Sequence, residues 1–202
     1  YNHGVERCVP VMEANGADAF GVATFAEARR VRELTTKPVL AWLWDPHEEL
    51  PDGVDVAAPS MTHLHSLIDA PTAPTVYLKV DTGMHRSGID EVRWQEAFEV
   101  ALDAQREGKL EVAGLMTHFS CADDPADPYT DQQAAAFRRA IAQARQVGLE
   151  VPRNHAANSP ATWTRPDLHF DMVRPGVSLY GLEPVDGLDH GLKPAMTWSA
   201  PV

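Results

Sequence analysis

The chain has 202 residues, 44% of them hydrophobic, enough to bury the core of one domain, and a formal net charge of −12. It contains no block of five Lys or Arg, which with the net acidity argues against nucleic acid or an anionic membrane as the main partner. No apolar stretch approaches the ~20 residues of a membrane span, no signal-peptide pattern is read, and Cys8 and Cys121 are too few for a disulfide framework, so a reducing cytoplasm is the expected compartment.

Short apolar runs alternate with helical patterns. Pro10 lies inside the first helical stretch, which should therefore be kinked or start late. "AFGVAT" (19–24) reads as a strand. It leads into a helix opened by Thr24 and Glu27, a hydroxyl and a carboxylate three apart that can satisfy free helix-start amides. "PVLAWLW" (38–44) and "VDVAAP" (54–59) are further strands, and "SMTHLHSLID" (60–69) is a short helix behind a Ser cap. After the strand "PTVYLKV" (74–80) comes a helix with Trp94, Ala97, Phe98, Ala101 and Leu102 on one face, stopped by Gly108. "LEVAGLMTHF" (110–119) precedes a helix over 130–147, where Thr130 and Gln133 form a second capping-box pattern and Phe137, Ala140, Ile141 and Ala144 an apolar stripe. "VPRNHAANS" (151–159) and "FDMVRPGVSLYG" (170–181) complete seven strand candidates.

The strands are mostly continuous apolar runs, as expected where both faces are covered, and repeated βα units imply a parallel sheet. The fold class that follows is α/β, a (β/α)8 TIM-type barrel lacking its first strand, since such barrels have eight strands and about 250 residues. Residues 1–183 should form this incomplete barrel. Residues 184–202 change character and are expected to be a linker entering a C-terminal β domain that the chain does not contain. A start at Tyr1 rather than methionine fits a piece of a longer protein.

Catalytic groups in such barrels gather where strands end. Those places hold Tyr1 to Gly4, Lys79 to Arg86, Thr117 to Asp123, His155 to Ser159 and Arg174 to Gly176, with no carboxylate pair of the glycosidase kind. Asn158 and Ser159 at a helix start, the close-approach backbone at Gly176, and the fixed charge of Arg86 and Arg174 point to an anionic, phosphorylated ligand. His118 and His155 also lie at strand ends, whereas His47, His63, His65, His169 and His190 read as surface residues.

In order, "LKVDTGMHRSG", "THFSCADD", "HAANSPAT" and "MVRPGVSLYG" resemble alanine racemase, a pyridoxal 5'-phosphate enzyme built on a (β/α)8 barrel with a C-terminal β domain; the opening "YNHG" is similar to the family's tyrosine-containing block, with Asn2 in place of a glycine. The resemblance implies interconversion of L- and D-alanine, a peptidoglycan precursor, by a cytoplasmic homodimer with shared active sites, needing neither metal, nucleic acid nor membrane. It implies that Tyr1, Ser159, Gly176 and Val177 bind the phosphate, that Arg174 meets the pyridine nitrogen with His155 as its support and Asn158 in the same loop, and that His118 lies beside the ring. Arg86 matches the arginine that contacts the cofactor's phenolic oxygen and holds the substrate carboxylate. Lys79 matches a position often carbamylated in the family, which would turn a cation into an anion able to orient Arg86; if Lys79 is unmodified, another acid or a bound anion must balance the pair, and Asp81 is a candidate. Two proton-transfer groups on opposite faces are what inversion needs; the family's lysine would fall before Tyr1 and its tyrosine beyond Val202, so the chain by itself is expected to be inactive. Arg174, a poor acid, should keep the ring nitrogen unprotonated and disfavour transamination.

Alternatives of the same fold are a broad-specificity amino-acid racemase and a non-catalytic pyridoxal-phosphate barrel. A metal-dependent hydrolase would instead use carbamylated Lys79 with His118, His155 and Asp171 as ligands.

Overall fold

The computed structural model describes residues 3–200. In chain order the elements are α1 Val5–Ala14, β1 Phe20–Val22, α2 Phe25–Arg32, β2 Val39–Ala41, β3 Asp55–Ala58, α3 Met61–Ile68, β4 Thr75–Lys79, α4 Trp94–Arg106, β5 Glu111–Met116, α5 Tyr129–Gln146 and α6 Ser159–Thr164. The five strands form one parallel sheet in sequence order. Parallel pairing continues past β5, because Met116 bridges His155 and His155 bridges Met172. Seven strand positions therefore follow one another like the staves of a barrel wall, each reached through a crossover.

The last two strand candidates, 151–159 and 170–181, shrink to those single-residue bridges. Pro152 and Pro175 lack the amide a ladder needs. Asn154 also replaces a strand carbonyl with its own side chain, its Oδ1 accepting from the Leu115 amide at 3.0 Å.

Local chemistry sets most helix starts. Thr24 Oγ1 accepts from the Glu27 amide at 3.3 Å while Glu27 Oε2 accepts from the Thr24 amide at 3.0 Å, the reciprocal box expected of that pair. Ser60 caps α3 by accepting from the His63 amide. Helix α1 does not start late: it runs through Pro10, which is exposed and has no amide to give the turn before it. The second capping box does not form. Pro128 starts α5 one residue earlier, so Thr130 lies inside the first turn with its hydroxyl buried and unpartnered among the described residues, and Gln133 turns its side chain elsewhere.

Alternation along the strands divides the core in two. Val39 and Ala41, Val56 and Ala58, and Val76 and Leu78 face outward to one large cluster with Phe25, Leu64, Phe98 and Phe137 from the covering helices. Burying one such phenylalanine stabilises the fold by about 2 kcal/mol. Leu40, Ala57, Tyr77, Ala113 and Met116 face the other way and fill the barrel interior. A register shift between Val76 and Tyr77 accommodates the pairing with β5, whose outward residues are Val112 and Leu115.

Candidate active site at the strand ends

Tyr77, Met116, His155 and Met172 form a layer inside the barrel: His155 bridges both methionines and its ring meets the Tyr77 ring edge-on at 4.9 Å. Two residues further along each of three of these segments come Lys79, His118 and Arg174. A period of two returns a side chain to the same face, so the interior layer hands its direction to the polar layer above it. This repeat explains why residues far apart in sequence converge.

Lys79 is buried at 7% exposure. Burial and the neighbouring charges of Arg86 and Arg174 pull its pKa down from 10.5 to about 8. Half-buried His118 is lowered to about 4 by burial, then by Arg174, Arg86 and Lys79, and is therefore neutral at pH 7. These mutual effects group Lys79, Arg86, His118 and Arg174 around one space. Among the described residues, none of the three cations has an acid at ion-pair distance.

Arg174 is fixed from three sides. Its Nη2 donates to the carbonyls of Thr117 at 2.6 Å and Ala156 at 3.2 Å, and its Nη1 donates to Nδ1 of His155. A guanidinium can only donate, so His155 must accept at Nδ1 and carry its proton on Nε2. That Nε2 is buried without a hydrogen-bond partner among the described residues, and burial, with Arg174 and Arg153, holds His155 well below its usual pKa and neutral. Burial lowers Arg174 to about 10, leaving it cationic at neutral pH. Its Nε–H has no hydrogen-bond partner among the described residues, a donor left for a ligand.

Arg86 is exposed on a loop closed at its base, where the Asp81 amide donates to the Ile89 carbonyl and the Ile89 amide to the Lys79 carbonyl. Gly88 permits that closure: its φ is +142°, and a Cβ there would come within 2.6 Å of the Asp81 nitrogen. The Asp81 charge partly offsets the fall in the Lys79 pKa, but among the described residues Asp81 makes no ion pair with Lys79 or Arg86. Its Oδ1 accepts from the Gly83 and His85 amides and its Oδ2 pairs with His85 Nδ1 at 3.0 Å, because a loop this tight exposes amides that the nearest carboxylate satisfies first.

Asn158 caps α6, accepting from the Ala161 amide, and its Nδ2 donates to the Phe119 carbonyl at 3.2 Å, which ties α6 to the loop bearing His118. Ser159 is buried; its Oγ accepts from the Gly176 amide at 2.8 Å and the Ser178 amide at 3.4 Å, leaving the hydroxyl proton to donate. Val177 opens the turn after Gly176. A helix start beside the turn after the last strand is where barrels of this kind build phosphate sites. Tyr1 lies outside the described residues.

Not every histidine reading holds. His63 is half-buried, its Nδ1 on Ser60 Oγ and its Nε2 on the Trp44 carbonyl; His169 meets the Thr162 carbonyl and His190 pairs with Glu183. The ligand set of a hydrolase is not assembled either: Asp171 Oδ2 is taken by the Asn154 amide and side chain, and His155 Nδ1 by Arg174. Sequence reasoning missed Tyr129 and the bracing role of Gln133, Thr82 and Thr117, which hold the loops together. The available signal was Gln133 itself, a polar residue four before Phe137 on the apolar stripe.

Residues 1–184 match the family model for the alanine racemase N-terminal domain. The chain is 57% identical to the alanine racemase of Corynebacterium efficiens over 210 residues, covering all of this chain and 56% of that protein. The alanine racemase of Corynebacterium glutamicum has a crystal structure that superposes with a TM-score of 0.91 at 51% identity, over 98% of this chain and 58% of that one. The enzyme from Streptomyces coelicolor gives 0.81 at 37% identity, over 92% and 52%. An alanine racemase of Bartonella henselae with covalently bound pyridoxal phosphate shares the fold, with a TM-score of 0.77 at 24% identity. The chain thus spans somewhat more than half the length of the curated relatives it matches. It belongs to the alanine racemase family, with the barrel that forms the family's N-terminal domain.

Proposed function

We propose that the protein is a pyridoxal-phosphate-dependent alanine racemase, interconverting L- and D-alanine and so supplying D-alanine for peptidoglycan. One observation carries this reading: Lys79, Arg86 and Arg174 crowd one strand-end space in a chain of net charge −12, with no acid at ion-pair distance among the described residues. Such a space calls for anions, and a phosphorylated cofactor with a carboxylate substrate supplies them.

The residues fit the cofactor. Ser159, Gly176 and Val177, with Tyr1, would hold its phosphate, and the unspent Nε–H of Arg174 would meet its ring nitrogen. When bound, pyridoxal phosphate supplies the electron sink that makes the α-proton of alanine removable. Arg174 deprotonates only near 10, so it donates a hydrogen bond without giving up its proton at neutral pH. His155 and two carbonyls hold it in place, with Asn158 bracing the same loop. Neutral His118 adds a polar edge without further positive charge. Arg86, at the tip of its closed loop, is free to take the substrate carboxylate.

Lys79 near pKa 8 has a neutral fraction at pH 7 able to add carbon dioxide, releasing a proton and leaving a carbamate anion between Arg86 and Arg174. That anion would be the missing counter-ion. Cytoplasmic residence is part of the proposal, in keeping with the unpaired Cys8 and Cys121, as is a homodimer whose active sites are shared.

The test is conversion of L-alanine to D-alanine by the complete gene product with pyridoxal phosphate. Enantiomers have equal free energy, so a racemase must drive either isomer to an equal mixture. Cofactor binding without any D-alanine would favour the non-catalytic barrel, and faster turnover of other amino acids would favour a broad-specificity racemase.

A further inference from the structure

Helix α5 lies outside the set of residues with proposed contacts to cofactor or substrate, yet it reaches both loops that carry such residues. Gln133 is fully buried. Its Oε1 accepts from the Ser120 amide at 2.9 Å and from Ser120 Oγ at 3.1 Å; its Nε2 donates to the His118 carbonyl at 3.1 Å and reaches Thr82 Oγ1 at 3.4 Å. The amide can sit only one way round, since a backbone N–H needs an acceptor and a carbonyl needs a donor. Thr82 in turn bonds Thr117 at 2.8 Å, and the Thr117 carbonyl accepts from Arg174. One turn earlier on the same helix face, Tyr129 Oη donates to the Gly83 carbonyl at 2.9 Å, fastening the loop that ends in Arg86.

We infer that Gln133 is a positioning residue: its buried amide, with Tyr129 one turn away, locks the His118 loop against the Arg86 loop and thereby sets the spacing between the groups proposed to face cofactor and substrate. This rests on the racemase reading for its kinetic consequence, but not for its structural one. Nothing else in the core requires a polar side chain here, and a methionine would fill the same volume with no hydrogen bonds. Positioning errors near 1 Å cost on the order of 100-fold in rate, so loss of this lock should lower kcat/KM about 10- to 100-fold, mainly through kcat, while Gln133→Met still folds.

The experiment uses two variants of the complete gene product. Gln133→Met should free the Ser120 amide, read as faster hydrogen exchange at Ser120, with the stated kinetic loss and unchanged exchange in the strands. Gln133→Glu supplies a control should the first variant not fold. A protonated carboxyl can donate to the His118 carbonyl and accept from the Ser120 amide as the parent amide does, whereas the ionised form sets an oxygen against that carbonyl. Gln133→Glu should therefore behave like the parent at low pH and lose activity, with rising Ser120 exchange, as the introduced carboxyl ionises. Parent-like exchange and kinetics in Gln133→Met, or a Gln133→Glu enzyme whose profile tracks the parent at every pH, would overturn the inference. If the parent shows no racemase activity the functional reading fails, and the exchange measurement still decides the role of Gln133.

Discussion

Lys79 should be a liability to the folded state at neutral pH. It is 7% exposed, and its pKa falls from 10.5 to about 8, with burial the largest cause and Arg86 and Arg174 adding to it. A fall of that size corresponds to roughly 3 kcal/mol of native-state destabilisation while the amine is charged in both states. The folded pKa lies below the unfolded one, so between pH 8 and 10.5 the unfolded chain holds more protons and stability rises with pH across that window. Lys79→Met keeps the length of the side chain, removes the charge and costs about 1 kcal/mol or less in repacking. The variant should be more stable than the parent at pH 7 by about 2 kcal/mol, with the advantage shrinking as pH approaches 10. Urea unfolding followed by tryptophan fluorescence in carbon-dioxide-free buffer measures both quantities, and the parent-minus-variant difference removes the other titrating groups. Adding bicarbonate should stabilise the parent alone, because only a lysine can become the carbamate anion between the arginines. A variant less stable than the parent at pH 7, or a difference flat from pH 7 to 10, would refute the electrostatic picture of the site.

On the acid side, His118 drops from 6.5 to about 4, so the unfolded chain again holds more protons between those values and stability falls by about 2–3 kcal/mol as pH drops through them. His118→Gln should flatten that part of the pH–stability curve, as read from urea midpoints at pH 4.5 and 7. Gly83 has φ +128°, and a Cβ there would lie 2.5 Å from Tyr129 Oη. Gly83→Ala should therefore destabilise the protein by about 1–3 kcal/mol and raise KM for alanine by displacing the Arg86 loop. Adding Tyr129→Phe should recover part of the stability without restoring KM.

Patterns governed by neighbours in sequence were legible. Thr24 with Glu27, Ser60 before its helix and Asn158 before α6 cap helices as their local chemistry requires. The strand order followed from alternating βα units. Thr130 and Gln133 show where such reasoning stops: the spacing is that of a capping box, but Pro128 had already begun the helix, and the partners of Gln133 are Ser120, His118 and Thr82, which no local spacing reveals. The segments at His155 and Met172 were read as strands because they sit where strands are due, yet prolines and the Asn154 side chain confine each to one bridge. Asp81 was half legible: its charge does act on Lys79, but its oxygens are held by the amides of its own loop, which charge alone does not reveal. Of the site, charge and residue type were readable. The support of Arg174 by backbone carbonyls was not, since a carbonyl has no residue identity.

Arg174 and the Ser159–Gly176 corner are proposed to hold opposite ends of one phosphorylated ring. A crystal structure of the protein loaded with pyridoxal phosphate tests that placement most directly. The phosphate should lie against Ser159 and Gly176, with the ring nitrogen on Nε of Arg174 and His118 alongside. A phosphate seated on Lys79 and Arg86 instead, with Arg174 still bound only to His155 and the Thr117 and Ala156 carbonyls, would contradict it.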